Sequence, residues 1–95
     1  MVDFEKFIIK RITEFRMRMG MTQKDIGQII KVSPSFIGNI ENAKSSAKYS
    51  IKHVSMLASY FNIRPVYFFV SDSEYIKLEP PGTLKDLFAL SRLRK

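Results

Sequence analysis

From residue 4 to residue 61 the apolar side chains recur every three or four positions, and each run is bounded by a residue that starts or stops a helix. That period belongs to the α-helix, so the chain is read as several short helices sharing one core. Phe4, Phe7, Ile8, Ile12, Phe15 and Met19 form the first stripe, with Asp3 as N-cap and Gly20 placed to end it. Thr22 caps a second helix, Asp25 sits at its favourable positive end, and Ile26, Ile29 and Ile30 form its buried stripe. After the short turn Lys31-Val32, Ser33 is an N-cap and Pro34 takes the first helical position, where its missing N–H leaves no hydrogen bond unmade. This third helix is expected to run to about Asn42. Ser50 opens a fourth, with Ile51, Val54, Leu57, Ala58 and Phe61 on the helical period and Asn62 as a left-handed stop. Pro65 begins a short fifth helix through Val66, Tyr67, Phe68 and Phe69, most of it core.

Beyond Val70 the pattern changes. Ser71-Asp72-Ser73-Glu74 reads as a polar linker, Tyr75-Ile76-Lys77-Leu78 as an extended segment, and Pro80-Pro81-Gly82 forbids a regular helix. Thr83 then caps a last amphipathic helix to Lys95, with Leu84, Leu87, Phe88 and Leu90 on one arc. The expected organisation is one helical domain over residues 1–70, then a linker and C-terminal helix over residues 71–95.

Ninety-five residues leave room for one core, and 45% hydrophobic with 26% charged residues is the composition of a folded globular chain. The absence of cysteine excludes disulfides, thiolate zinc sites and cysteine nucleophiles, and the single histidine, His53, excludes a multi-histidine metal centre. No metal and no cofactor is therefore expected. Gly20, Gly27, Gly38 and Gly82 are isolated and build no phosphate-cradling loop. His53, beside Ser50 and Lys52, reads as a helix residue rather than part of a triad, and Asp72 and Glu74 read as solvated carboxylates rather than acid–base partners. An enzyme is not expected. The longest wholly apolar run, Val66 to Val70, is far short of the roughly 20 residues of a membrane helix, and charges interrupt any signal-like N-terminus. The expected location is the cytoplasm, with the nucleoid, and no membrane partner.

Sixteen Lys and Arg against nine Asp and Glu give a net charge of +7, which points to a polyanionic partner. No acidic side chain occurs from Asn42 through Ser71, so Lys44, Lys48 and Lys52 have no carboxylate nearby in sequence. Ahead of that stretch, two short helices joined by a three-to-four-residue turn describe a helix-turn-helix unit, with Gly27 allowing a close crossing. On the third helix Ile37 and Ile40 point one way while Ser35, Gly38, Asn39 and Asn42 point the other. That outward face is small and polar, which suits entry into a major groove.

The motifs Arg11-Ile12, Phe15-Arg16, Gly20, Thr22-Gln23-Lys24-Asp25-Ile26-Gly27, Val32-Ser33-Pro34-Ser35-Phe36-Ile37, Ile40-Glu41-Asn42 and Lys44 stand at matching spacing. From Arg11 to Phe69 the chain resembles the lambda-repressor-like, XRE-type family of helix-turn-helix domains. The resemblance implies an all-α, five-helix domain acting as a sequence-specific double-stranded-DNA-binding transcriptional regulator, a repressor, with residues 33–42 as the recognition helix. It implies that Pro34, Ser35 and Asn39 stand at base-reading positions, with Gly38 on the same face. It implies that Gln23 touches a phosphate and braces the recognition helix, with Ser33, Asn42 and Lys44 also on the backbone. Lys48 and Lys52 are expected to add phosphate contacts. Arg16 and Glu41 match the family's buried ion pair. Three departures stand out: Lys31 where glycine is usual, Ala43 where glycine follows Glu-Asn, and a longer loop over Ser45 to Tyr49. Because such modules commonly read two half-sites, the C-terminal helix is expected to pair two subunits into a homodimer rather than lie over its own core. The alternative is an antitoxin or adaptor-type module that binds a protein partner through that tail.

Overall fold

The computed structural model describes residues 3–78, a bundle of helices α1 (Phe4–Arg18), α2 (Gln23–Ile30), α3 (Pro34–Glu41) and α4 (Ile51–Phe61), a 3-10 helix (Pro65–Phe69) and α5 (Asp72–Leu78). There is no strand among the described residues. The helix starts lie where capping chemistry puts them. Asp3 accepts the Lys6 N–H at 3.1 Å, Thr22 and Asp25 exchange reciprocal backbone bonds, and Ser33 accepts the Phe36 N–H at 3.1 Å. Each such cap satisfies an orphan donor and is worth about 1 kcal/mol.

The ends are equally specific. Gly20, at φ 69°, follows α1, the Gly20 N–H bonds the Met17 carbonyl and the Met21 N–H bonds that of Arg16. This is the paired closure that a left-handed residue permits, and it drives Met21 into the core. Lys31 closes α2 at φ 63°, ψ 45°, a conformation that costs a non-glycine residue about 1–2 kcal/mol. The tight turn it makes brings the Val32 carbonyl so near Gly27 that a Cβ there would lie 2.6 Å from the oxygen. Gly27 is thus required by the turn itself rather than by the crossing of the two helix bodies.

Ile12, Phe15, Ile26, Ile30, Ile37, Val54, Leu57 and Phe68 fill the core. Phe15 is its hub, meeting Phe61, Tyr67 and Phe68 edge-on at centroid distances of 5.0, 5.5 and 5.3 Å, a geometry favoured by the ring quadrupoles. Phe4, expected on the buried stripe, is instead about half exposed and stacks on Phe69 at the rim.

Two sequence expectations are corrected. The fifth helix is a 3-10 helix, although Tyr67 and Phe68 are core as expected. The polar linker and extended segment over residues 71–78 are in fact α5 and its cap. Ser71 and Glu74 exchange reciprocal bonds between side chain and backbone N–H, and Tyr75 is buried against Tyr67, centroids 5.1 Å apart. Read alone, the alternation of Tyr75 to Leu78 mimics a strand; the capping pair and the buried Tyr75 decide for a helix. The C-terminal helix expected from Thr83 to Lys95 lies outside the described residues.

Candidate nucleic-acid interface

The presentation of α3 begins at its base. Ile37 and Ile40 are buried, while Pro34, Ser35 and Asn39 are exposed, and Phe36 is half-buried. A glycine at position 38 leaves room for a neighbour: the Gln23 amide lies over it, and a Cβ there would meet Gln23 Oε1 at 3.4 Å. Gly38 is therefore half-covered, and the open strip of the helix is Pro34, Ser35 and Asn39, continued by Asn42 at its C-cap.

The far end of α3 is held by a carboxylate fork. Arg16 Nε donates to Glu41 Oε2 at 2.9 Å and a second Arg16 nitrogen to Oε1 at 3.0 Å; the third donates to the Met21 carbonyl at 2.9 Å. Both side chains are almost out of water, at 12% and 11% exposure. Glu41 Oε1 also accepts from Gln23 Nε2 at 3.1 Å, so one carboxylate gathers α1, α2 and α3. Tyr49 nearby is half-buried, with its hydroxyl enclosed and without a hydrogen-bond partner, and that enclosure, reinforced by Glu41, pushes the phenol pKa well up. Gln23 thus has an internal partner at the far end of α3. Its second amide hydrogen still has a bond to make.

After α3 the chain turns on its own side chains. Asn42 Oδ1 accepts the Lys44 N–H at 3.0 Å, and Ser45 Oγ accepts the Ala47 N–H at 3.1 Å. The loop so ordered exposes the Lys44 side chain. Lys48 points back to α1, pairing with Glu5 at 2.7 Å where both groups are well exposed. That contradicts the expectation that Lys48 lacks an internal partner. The missed partner lies in the first turn of α1, which no local window could reveal. Lys52 lies exposed in the first turn of α4, and among the described residues no carboxylate pairs with it or with Lys44. Ser33 remains exposed at its cap. The open face of α3, the cap of Ser33, Lys44 and Lys52 are thus all exposed, and none of these side chains is acidic.

A second arginine centre escapes sequence reading. Arg11 is buried on α1; its Nε donates to the Tyr67 carbonyl at 2.9 Å, its guanidinium stacks on the Tyr67 ring at 4.0 Å, and it pairs with Asp72. Asp72 also accepts from Arg18 at 2.8 Å. The one available signal is register: Arg11 stands four residues from both Phe7 and Phe15, on the apolar stripe. Among the described residues no three of His, Asp and Glu come together as metal ligands, and no helix is long and apolar enough to cross a membrane.

Residues 12–68 match the model of the helix-turn-helix family. That is more than half of the chain, which therefore belongs to this family, in its XRE-type branch, a family of DNA-binding regulatory domains. The five α-helices and the absence of strands among the described residues agree with a small lambda-repressor-like fold. No curated protein and no solved structure matches the chain.

Proposed function

We propose that this chain is a sequence-specific regulator of transcription, a repressor, that lays α3 in the major groove of double-stranded DNA. The observation that carries the reading is the division of α3, with Ile37 and Ile40 sealed in the core and the small polar strip of Pro34, Ser35 and Asn39 left open. Nothing bulky or acidic on that strip holds the helix away from base edges. Asn39, near its centre, is the side chain able to pair in a bidentate way with adenine, a contact that discriminates by about 1–3 kcal/mol. Gly38, on the same face, contributes no side chain and leaves the room in which the Gln23 amide lies beside the strip. Gln23, Ser33, Asn42, Lys44, Lys48 and Lys52 supply phosphate contacts that position the helix without reading sequence. Two copies, paired through residues 83–95, read two half-sites one helical turn apart.

Selection of bound duplexes from a random pool tests the reading directly. Enrichment of a paired motif, with Asn39→Ala flattening preference at one base pair of each half-site and leaving nonspecific binding nearly intact, supports it. Identical preferences for parent and variant remove Asn39 from the bases, and failure to bind any duplex at low salt transfers the chain to the protein-interaction class. Light scattering of the full chain and of a truncation after Glu79 tests the dimer. A monomer in both cases ends that part of the proposal.

A further inference from the structure

His53 is the third residue of α4 and closes a capping box. Its backbone N–H donates to Ser50 Oγ at 3.1 Å, and its Nδ1 accepts the Ser50 backbone N–H, also at 3.1 Å. Glutamate or glutamine ordinarily fills that position; here the lone pair of a neutral imidazole does the same work. The bond assigns the ring proton to Nε2. Held this way, the ring meets Phe36 of α3 edge-on at 6.1 Å between centroids and Tyr49 of the preceding loop at 6.4 Å. One imidazole therefore touches the first turn of α3, the loop after it and the N-terminus of α4.

We propose that His53 is a proton-sensitive positioning residue for DNA recognition, seating α3 against the N-terminus of α4 only while its imidazole is neutral. The inference rests on the DNA-binding reading of α3. Protonation replaces the Nδ1 lone pair with a second N–H facing the Ser50 N–H, and donor opposes donor. It also sets a cation on the positive end of α4 beside Lys52. The other titratable group facing the ring is the Tyr49 phenol, whose pKa is pushed up and which stays neutral through this range; α3 presents Phe36, which does not titrate. The charged ring must turn away, and Phe36 loses the surface that fixes it. Burial, and then Lys52, hold the His53 pKa below the usual value of 6.5, so the seated form is the neutral-pH form. Affinity is then complete above pH 6.5 and falls as pH drops through the lowered folded value. A histidine that merely adds charge beside a phosphate has the opposite sign.

The test measures Kd for the full chain and for His53→Gln on a selected duplex, at fixed salt and low temperature, from about pH 8 to about pH 5. Circular dichroism verifies that both stay folded throughout, which separates seating from stability. Glutamine keeps a neutral acceptor and does not titrate. The expected result is an approximately fivefold weakening of the parent in acid, and in the variant, which keeps the cap acceptor but lacks the ring against Phe36, an affinity that does not change with pH. Parallel profiles, or a parent that tightens in acid, overturn the proposal while leaving DNA binding intact. Absence of salt-dependent binding at the alkaline end in both proteins overturns the DNA reading and the inference with it. The direction of the parent's own profile keeps the proposal testable should the variant fail to fold.

Discussion

Arg16 and Arg11 project from the same helix, five residues apart, and each grips a carboxylate from a distant part of the chain. Their surroundings differ. Arg16 and Glu41 are both nearly out of water, form two parallel bonds, and draw Gln23 into the same carboxylate. Asp72, by contrast, is one-third exposed and divides its oxygens between buried Arg11 and Arg18, the latter 52% exposed. The first arrangement fixes geometry, because neither ion has water to fall back on and the two planar forks meet in only one way. The second anchors α5 at an edge where water can replace part of what the protein supplies. The fold is thus most tightly determined behind α3, the element proposed to enter DNA, and more loosely at α5.

Removing one ion of the inner pair should therefore have the largest effect. Arg16→Met leaves Glu41 buried with only Gln23 as a donor, and breaking such a pair typically costs about 3–5 kcal/mol. Combining it with Glu41→Leu removes the stranded charge and should recover much of the loss. Thermal melts of parent, single and double variants check this, and equal melting of parent and single variant would falsify the lock.

At the outer centre the expected loss is smaller. Asp72→Asn takes the charge from two arginines but leaves Arg11 its bond to the Tyr67 carbonyl and its seat on the Tyr67 ring, so a cost of about 1–3 kcal/mol is expected. It should be local, read as faster amide exchange in α5 with little change in α2 and α3. Burial raises the Asp72 pKa, but the hydrogen bonds from Arg18 and Arg11 outweigh it and hold the carboxyl below its usual 3.8. A carboxyl lowered in the fold contributes stability above its unfolded value and loses it as pH falls below 3.8 through the folded value. α5 amides of the parent should therefore begin to exchange faster only below about pH 4, and those of Asp72→Asn should not share that step.

The contrast between the two centres also explains what sequence could and could not disclose. Caps at Asp3, Thr22, Ser33 and Ser50, and left-handed stops at Gly20 and Asn62, act within four residues, so they are legible from residue type alone. Arg16 and Glu41 are 25 residues apart, and only a family motif connects them. Nothing comparable connects Arg11 to Asp72 across 61 residues, so Asp72 reads as linker and Tyr75 to Leu78 as an extended segment. The covering of Gly38 by Gln23 is likewise tertiary, and no helical wheel contains it.

A third variant tests how far the lock behind α3 tolerates strain at the other end of that helix. Lys31 holds a left-handed backbone in the turn that feeds α3, and glycine there relieves the steric cost while making the unfolded chain freer. Lys31→Gly should raise stability by about 1 kcal/mol, read as a later denaturant midpoint at unchanged slope. A loss of stability would show that the lysine makes a contact worth more than the strain.

The smallest effect belongs to an ion pair that lies in water on both sides, Lys48 with Glu5. Exposed pairs of this kind add almost nothing to stability, because solvent screens them and two long side chains must be ordered to make them. The hydrogen bond that Lys48 donates to Glu5 raises the lysine pKa, so the lysine stays charged and can be drawn to a stronger anion. Lys48→Ala and Glu5→Gln should each leave the melting temperature where it is. On DNA they should diverge. Losing a phosphate contact lowers the log–log salt slope by about one in Lys48→Ala, whereas Glu5→Gln frees the lysine and should tighten binding to every duplex about equally. If neither change moves DNA affinity, Lys48 closes the loop onto α1 and belongs to the scaffold.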